Sequence, residues 1–322
     1  MESKRICAVI VTFNRKVWLA RCIEAIKRQS HKVDDIYIID NACTDGTADY
    51  LASAKIIGSS EIGTEIVADV SDGKYSIHYY RLSTNKGGAG GFYTGLKLAH
   101  QSKKFSAYWL MDDDGYPSEY CLERQLPYLE QYDYVMPVSI DIDNHTQLSW
   151  ATRKQNGEKT TVYEELLEDW GEVMPFIFPF NGSLMSRKLM EKVGYVNPKL
   201  FIWGDDYEHY YRCLKAGFTP VTVLDALFYH PVNKAPTIPI MKGLFQIPYV
   251  ESDLRFVCLI RNWAYINKTN KRYLSLLKSF MAYTWLFMIT QKGNFSKYKL
   301  FIASFKDGLM NKFDRHKKYL PK

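Results

Sequence analysis

The sequence predicts an α/β fold: a mostly parallel central sheet flanked by helices, followed by a C-terminal helical extension. Three observations predict it. Apolar runs of strand length occur at residues 6–13 (ICAVIVTF) and 35–39 (DIYII), and near-continuous runs mark strands buried on both faces. Each is followed by a turn and a helix-like segment, and this alternation implies parallel pairing through right-handed crossovers. Beyond residue 231 the pattern changes, and Tyr273–Thr290 is an apolar stretch interrupted by Lys278. We draw the boundary at residue 235, with one α/β domain over 1–235 and a helical, basic region over 236–322.

At 322 residues the chain can hold one large domain or two small ones. Its 47% hydrophobic and 24% charged content is ordinary for a globular protein. Aromatics reach 15%, which suits sugar sites, membrane interfaces and cores alike. Six scattered cysteines without a CxxC pair indicate neither a zinc site nor a disulfide framework, and read as free thiols in a reducing cytoplasm. The first apolar run stops at Asn14 with no small-residue cleavage site, unlike a secretory signal. Residues 291–322 hold nine Lys/Arg and two Asp, and the remainder 33 basic and 33 acidic groups. A body so balanced argues against a nucleic-acid reader.

In chain order, Leu19, Cys22, Ile23 and Ile26 fall at helical spacing after the first strand. The second strand ends in Asp40-Asn41, and a turn rich in Asp, Gly and Thr leads to a short helix over 48–54. Ligands in such sheets sit beyond the carboxyl ends of the strands, where Thr12, Asn14, Asp40 and Asn41 fall. Residues 55–76 read as an insertion, with a hairpin as one form. A third strand over 76–81 runs into Asn85-Lys86-Gly87-Gly88-Ala89-Gly90-Gly91 and a helix from Phe92 to Gln101. The glycines allow close backbone approach, and their amides suit an anion at a helix N-terminus. No Lys-Ser/Thr closes the run as in a Walker loop; a plain glycine-rich linker is the simpler alternative.

The strand over 107–111 ends in Asp112-Asp113-Asp114-Gly115. Strand alternation would point Asp112 and Asp114 the same way and Asp113 elsewhere. Adjacent carboxylates repel unless a cation lies between them. Two hard oxygen ligands suit Mg2+ or Mn2+, which bridge carboxylates to phosphates. A solvated acidic turn is the alternative for the triplet taken alone. A strand over 133–140 precedes a polar stretch, 141–171, read as a partly mobile loop with a short helix near 161–167. Phe176–Phe180 leads to Asn181-Gly182, and Ser186 reads as the cap of a helix over 187–193. After Trp203-Gly204, the pair Asp205-Asp206 opens a helix ended by Gly217; such acids are common caps, but a pair in this chain is a catalytic candidate. The last strand ends at His230, usually a structural residue, here at a place that suits a metal or phosphate.

Together these motifs resemble the family 2 glycosyltransferases, of GT-A (Rossmann-like) fold. The resemblance rests on Val11–Arg15, Asp40–Thr47, Asn85–Gly91, the triple Asp, Gly204-Asp205-Asp206 and His230, and spans about residues 6–231. The glycine-rich run and the full Asp-Asp-Asp look most like the bacterial galactofuranosyltransferase and rhamnosyltransferase branch. The family usually has Glu-Asp where this chain has Asp205-Asp206, a change that branch tolerates. The resemblance implies that Thr12, Asn14 and Asp40 hold the nucleobase and ribose, and that Asn85, Gly87 and Gly88 approach the ribose and diphosphate. It implies donor contacts from Asp112 and Asp113, and Mn2+ or Mg2+ on Asp112, Asp114 and His230. Asp206, with Asp205 beside it, matches the base position, and Trp203 is placed to stack on an acceptor sugar or simply to pack.

The implied activity is an inverting, metal-dependent hexosyl transfer. The expected donor is UDP-galactofuranose, with dTDP-rhamnose as the alternative, and the acceptor is a glycan or lipid-linked glycan of a bacterial surface polysaccharide. Two other classes compete. A nucleotide-sugar nucleotidyltransferase also needs a glycine loop and paired Asp, but leaves the tail unexplained. A noncatalytic carbohydrate- or membrane-binding protein leaves the carboxylates unused. Ser279–Thr290 is too short to span a bilayer, which takes about 20 residues. An apolar helix beside a basic tail fits either peripheral contact with an anionic membrane, at the inner face of the cell membrane, or a helical bundle. Self-association into a homo-oligomer stays open.

Overall fold

The computed structural model describes residues 4–58, 70–71, 76–175, 179–232 and 237–320. The expected insertion over 55–76 falls mostly outside these residues. So do the start of the Phe176–Phe180 lead-in and the boundary drawn at 235. The chain forms two compact units, one of residues 1–198 and 209–233, the other of 199–208 and 234–322.

In the first unit, β1 (Ile6–Thr12), β2 (Asp35–Asp40), β3 (Ser76–Arg81) and β4 (Ala107–Asp112) form a parallel block in the order β3-β2-β1-β4. β1 and β2 are buried at every position, which is why their sequences read as unbroken apolar runs. The register pairs Thr12 with Asp40, Asp40 with Arg81, and Val11 with Asp112. The polar ends of four strands therefore come level along one edge. β5 (Tyr134–Asp141), β6 (Asn181–Ser186) and β7 (Val221–His230) extend the sheet in the order β4-β6-β5-β7. β6 is antiparallel to its neighbours, whereas β7 runs parallel to β5 and pairs His230 with Asp141.

The flanking helices are α1 (Lys16–Lys27), α2 (Thr47–Ser53), α3 (Gly87–Gln101), α4 (Cys121–Tyr132), α5 (Tyr163–Trp170) and α6 (Arg187–Val193). α1 buries the four residues its spacing predicted. α6 is capped as expected, the Ser186 hydroxyl accepting from Leu189 N–H at 3.0 Å. Two expectations are corrected. α3 begins at Gly87 rather than Phe92, so the glycine run is helix. A Cβ at Gly91 would lie 2.4 Å from Val11 Cγ1, and one at Gly95 2.4 Å from Val9 Cγ1. Glycine is a poor helix former, but here only glycine lets α3 press on β1. The stretch 141–171 is not a loop: Gln147–Arg153 and Lys159–Val162 form an antiparallel hairpin turned at Gly157, followed by α5. Its inward residues include Thr152 and Thr160, so the strand alternation was hidden in polar side chains.

α7 (Asp205–Lys215) ends ahead of Gly217, whose φ is +87°. In the second unit, α8 (Asp253–Thr269), α9 (Tyr273–Trp285) and α10 (Phe295–Leu309) pack around Phe256, Tyr283, Phe287 and Phe301. Their ring centroids lie 5.2–6.3 Å apart. A two-stranded sheet (Thr237–Ile240 with Phe245–Pro248) adds Ile240 and Ile247 to this core. α8 and α10 touch closely where Gly308 meets the Arg261 carbonyl, 2.2 Å from any added Cβ. Tyr273–Thr290 thus contributes one face to a helical bundle. Among the described residues no helix is long and apolar enough to cross a membrane.

Candidate active site

The level strand ends of the first unit gather most of the sequence-predicted residues. β4 stops at Asp112, so the alternation argument does not extend to Asp113 and Asp114, which lie in the turn beyond. Asp113 is buried and turns toward β1. Its Oδ2 accepts the Thr12 hydroxyl at 2.6 Å and Phe13 N–H at 3.3 Å, and its Oδ1 accepts Arg15 Nη1 at 3.0 Å. The same Arg15 nitrogen donates to Asp114 Oδ2 at 2.7 Å. Burial pushes the Asp113 carboxyl above its usual pKa, against the pull of Arg15 and Thr12. Burial acts likewise on Asp114, but His230 and Arg15 outweigh it and hold that carboxyl below the ordinary range. Arg15 was assigned no role from the sequence. Its signal is a cation just past a strand end in register with the carboxylates.

Among the described residues, buried Asp114 Oδ1 accepts no hydrogen bond of good geometry. His230 Nε2 lies 3.2 Å from it. His230 Nδ1 lies 2.6 Å from the Pro231 carbonyl, which can only accept, so Nδ1 holds the proton. With no proton on Nε2, its lone pair would face a carboxylate oxygen. Two acceptors at this distance are reconciled by a proton on Nε2 or by a cation bound to both. The Trp150 ring lies against the imidazole, tilted by 33° with centroids 4.6 Å apart. Among the described residues no three His, Cys, Asp or Glu side chains form a ready metal cage. A carboxylate and an imidazole facing each other nevertheless suit Mg2+ or Mn2+, which commonly take few protein ligands.

The other predicted residues organise the same edge. Asp40 is buried, and its carboxylate accepts Cys43 N–H at 2.6 Å and the Tyr79 hydroxyl. Asn14, with φ +56°, accepts Thr44 N–H at 2.7 Å. Thr12, Asn14 and Asp40 therefore shape the strand-end loops with their own side chains. Asn41 accepts Lys86 N–H at 2.8 Å, and Asn85 accepts Gly87 N–H at 2.7 Å, tying β2 to the start of α3. A Cβ at Gly88 would meet nothing within 4 Å, so this helix end is open to a ligand. Asn181 was passed over in the sequence reading. It pairs with Met111 in the register, and its buried Oδ1 has no partner among the described residues.

Trp203, Asp205 and Asp206 belong to the second unit. Phe201, Trp203 and Gly204 have φ of +70°, +65° and +80°, a left-handed path that non-glycine residues rarely take. α8 holds it. The Asn262 side-chain amide donates to the carbonyls of Leu200, Ile202 and Trp203 at 2.9, 2.9 and 2.7 Å. Arg261, wholly buried, donates to Leu200 O at 2.7 Å and Phe313 O at 2.8 Å, and to Asn262 Oδ1 at 2.9 Å. Sequence reasoning missed both, since buried Arg and Asn in a helix show no pattern of their own. Burial pushes the carboxyls of Asp205 and Asp206 up, Asp205 further because the charges of Asp206 and Glu208 lie beside it. Asp206 Oδ1 accepts Tyr207 N–H at 2.8 Å. Trp203 is partly exposed.

A sheet with its ligand-facing groups at the strand ends, beside a helix opened by glycine, has the GT-A fold of glycosyltransferases. Solved structures share it. GalNAc-T7 with UDP, GalNAc and Mn2+ matches 83% of this chain at 13% identity and a TM-score of 0.54, the match spanning 48% of that chain. The mannosyltransferase PcManGT of Pyrobaculum calidifontis, with GDP-Man and Mn2+, matches 84% at 15% identity and a TM-score of 0.52, spanning 65% of its own chain. The chain thus covers less than two thirds of the length of these solved structures. The family model described as Glycosyl transferase family 2 matches residues 7–194, and the chain belongs to that family. Among curated proteins it is similar to the galactofuranosyltransferase GlfT1 of Mycobacterium tuberculosis (strain ATCC 25618 / H37Rv), at 26% identity over 90% of this chain and 91% of the relative. It is also similar to GlfT1 of Mycolicibacterium smegmatis, at 24% identity over 90% and 92%.

Proposed function

We propose that the protein is an inverting, metal-dependent galactofuranosyltransferase. It uses UDP-galactofuranose to extend a glycan, lipid-linked and destined for a bacterial surface polysaccharide, from the cytoplasmic side of an anionic membrane. The observation that carries the reading is the unsatisfied Asp114 Oδ1 facing His230 Nε2 at the end of a parallel sheet. The likeness to GlfT1 over nine-tenths of the chain supports the sugar.

Asp114 and His230, with Asp112 at the adjoining strand end, would hold Mn2+ or Mg2+, which supplies charge neutralisation for the departing diphosphate. The start of α3 receives that diphosphate at the open backbone around Gly88, held in place by the Asn85–Gly87 hydrogen bond. Asp113 is locked by Thr12 and Arg15 and keeps the edge in shape for the nucleoside, bordered by Asn14 and Asp40. Asp206 accepts the proton of the acceptor hydroxyl as its oxygen attacks the anomeric carbon from the face opposite the leaving group. The bond from that carbon to the diphosphate oxygen breaks, its electron pair leaves with UDP, and the configuration inverts. Asp205, more strongly raised, keeps its own proton and leaves Asp206 as the ionised member. Trp203 offers a ring for the acceptor sugar.

The test is a donor screen with Mn2+ and simple glycoside acceptors, following nucleotide release. UDP released from UDP-galactofuranose alone, abolished by a chelator and restored by Mn2+, is the expected result. Turnover of dTDP-rhamnose instead would replace the donor, and pyrophosphate formed without acceptor would replace the reaction class. Retained anomeric configuration by NMR would overturn inversion.

A further inference from the structure

Helix α9 has a single charged residue, Lys278, and is covered on one side. Tyr283 faces the bundle core. Tyr273, Leu274, Leu277 and Met281 are 64, 65, 55 and 58% exposed. At about 100° per residue they fall in a single stripe roughly 100° wide. An exposed apolar stripe rimmed by polar groups marks an interaction surface.

The surrounding charge identifies the occupant. The positive charge read from the sequence as a property of 291–322 begins much earlier. Residues 254–306 hold ten Lys and Arg and not one Asp or Glu, while the rest of the chain holds 32 basic and 35 acidic groups. Lys271, Arg272, Lys278, Lys292, Lys299 and Lys306 are exposed. A second copy docking on the same stripe would bring two segments rich in exposed Lys and Arg together, which like-charge repulsion opposes. No described helix is long and apolar enough to cross a bilayer, so the stripe does not belong to a spanning segment. We propose that α9 lies in the interface of an anionic lipid bilayer. Leu274, Leu277 and Met281 enter the acyl boundary, Tyr273 sits at headgroup level, and the lysines meet the lipid phosphates. This deepens the membrane part of the proposed function and stands apart from its transfer chemistry.

The experiment is sedimentation of the full chain with vesicles of phosphatidylcholine alone or mixed equally with phosphatidylglycerol. Binding is expected to the anionic vesicles only, to fall with salt, and to drop at least tenfold in Leu277→Glu/Met281→Glu. UDP binding by that double variant should match the parent, which shows that it is folded and reads the donor site separately. A second variant, Lys271→Ala/Lys278→Ala, should weaken binding to anionic vesicles with the apolar stripe intact. Equal binding to both vesicle types, no binding to either, or undiminished binding by the Glu variant overturns the proposal. So does a concentration-dependent dimer that the Glu variant abolishes, which would give the stripe to a second copy.

Discussion

Asp114 and His230 face each other through two atoms that both accept hydrogen bonds in the neutral state, and the strongest expectation at the residue scale follows. Asp114→Asn and His230→Ala should each weaken UDP binding about 10–100-fold in Mn2+ and leave binding in chelator unchanged. Calorimetric titration with and without the metal measures both; unchanged affinity in Mn2+ would remove the residue from the ligand set. Asp206→Asn should lower transfer about 10²–10⁴-fold with UDP affinity within twofold, and near-normal turnover would move the base to Asp205. Burial raises the carboxyls of this pair, and a base works only when ionised. The kcat of the parent should therefore rise with pH along a limb centred above the ordinary Asp value of about 3.9, then level off. A limb at or below that value would exclude the pair. The carboxylates were legible in the sequence because charge at the end of an apolar run is costly without a purpose. Arg15 was not, because its carboxylate partners lie about a hundred residues away and only the pairing of β1 with β4 reveals them.

At the element scale, the glycines of α3 divide into two kinds. Gly91 and Gly95 face β1 with no room for a methyl group, whereas Gly88 faces open space. Gly91→Ala should cost about 1–3 kcal/mol by overpacking, read as a lower denaturation midpoint. Gly88→Ala should be neutral or stabilising by up to about 1 kcal/mol, because alanine is the better helix former. Equal effects would mean that α3 does not pack as described. The sequence showed the glycines and suggested close approach, but not that the approach is helix to strand. The hairpin over 147–162 was missed for another reason. Hydrophobic alternation is the signal for a strand, and this one buries threonines. Strands with apolar inner faces, such as β1 and β2, were read to within a residue or two, and the buried face of α1 was read residue for residue.

Across the whole molecule the chain order and the compact units disagree. The segment 199–208 bears Trp203 and the acidic pair, yet belongs with 234–322. A boundary drawn along the sequence had no means of finding this, since the partners that hold the segment are single buried polar side chains. Asn262→Ala should leave the carbonyls of Ile202 and Trp203 without the donor they have here, Leu200 O keeping Arg261, at about 1–3 kcal/mol. It should lower kcat more than it changes UDP affinity, and an effect confined to UDP affinity would contradict the assignment of this loop to the acceptor side. The fold also orders events in time. Leu200 and Trp203 are made before Arg261 and Asn262, and at about 5–20 residues per second the interval is roughly 3–12 seconds. During synthesis the strand ends can assemble while the proposed proton acceptor has no fixed place. Termination between β7 and α8 would then yield a chain with its strand-end carboxylates and His230 but without the side chains that hold the proposed proton acceptor.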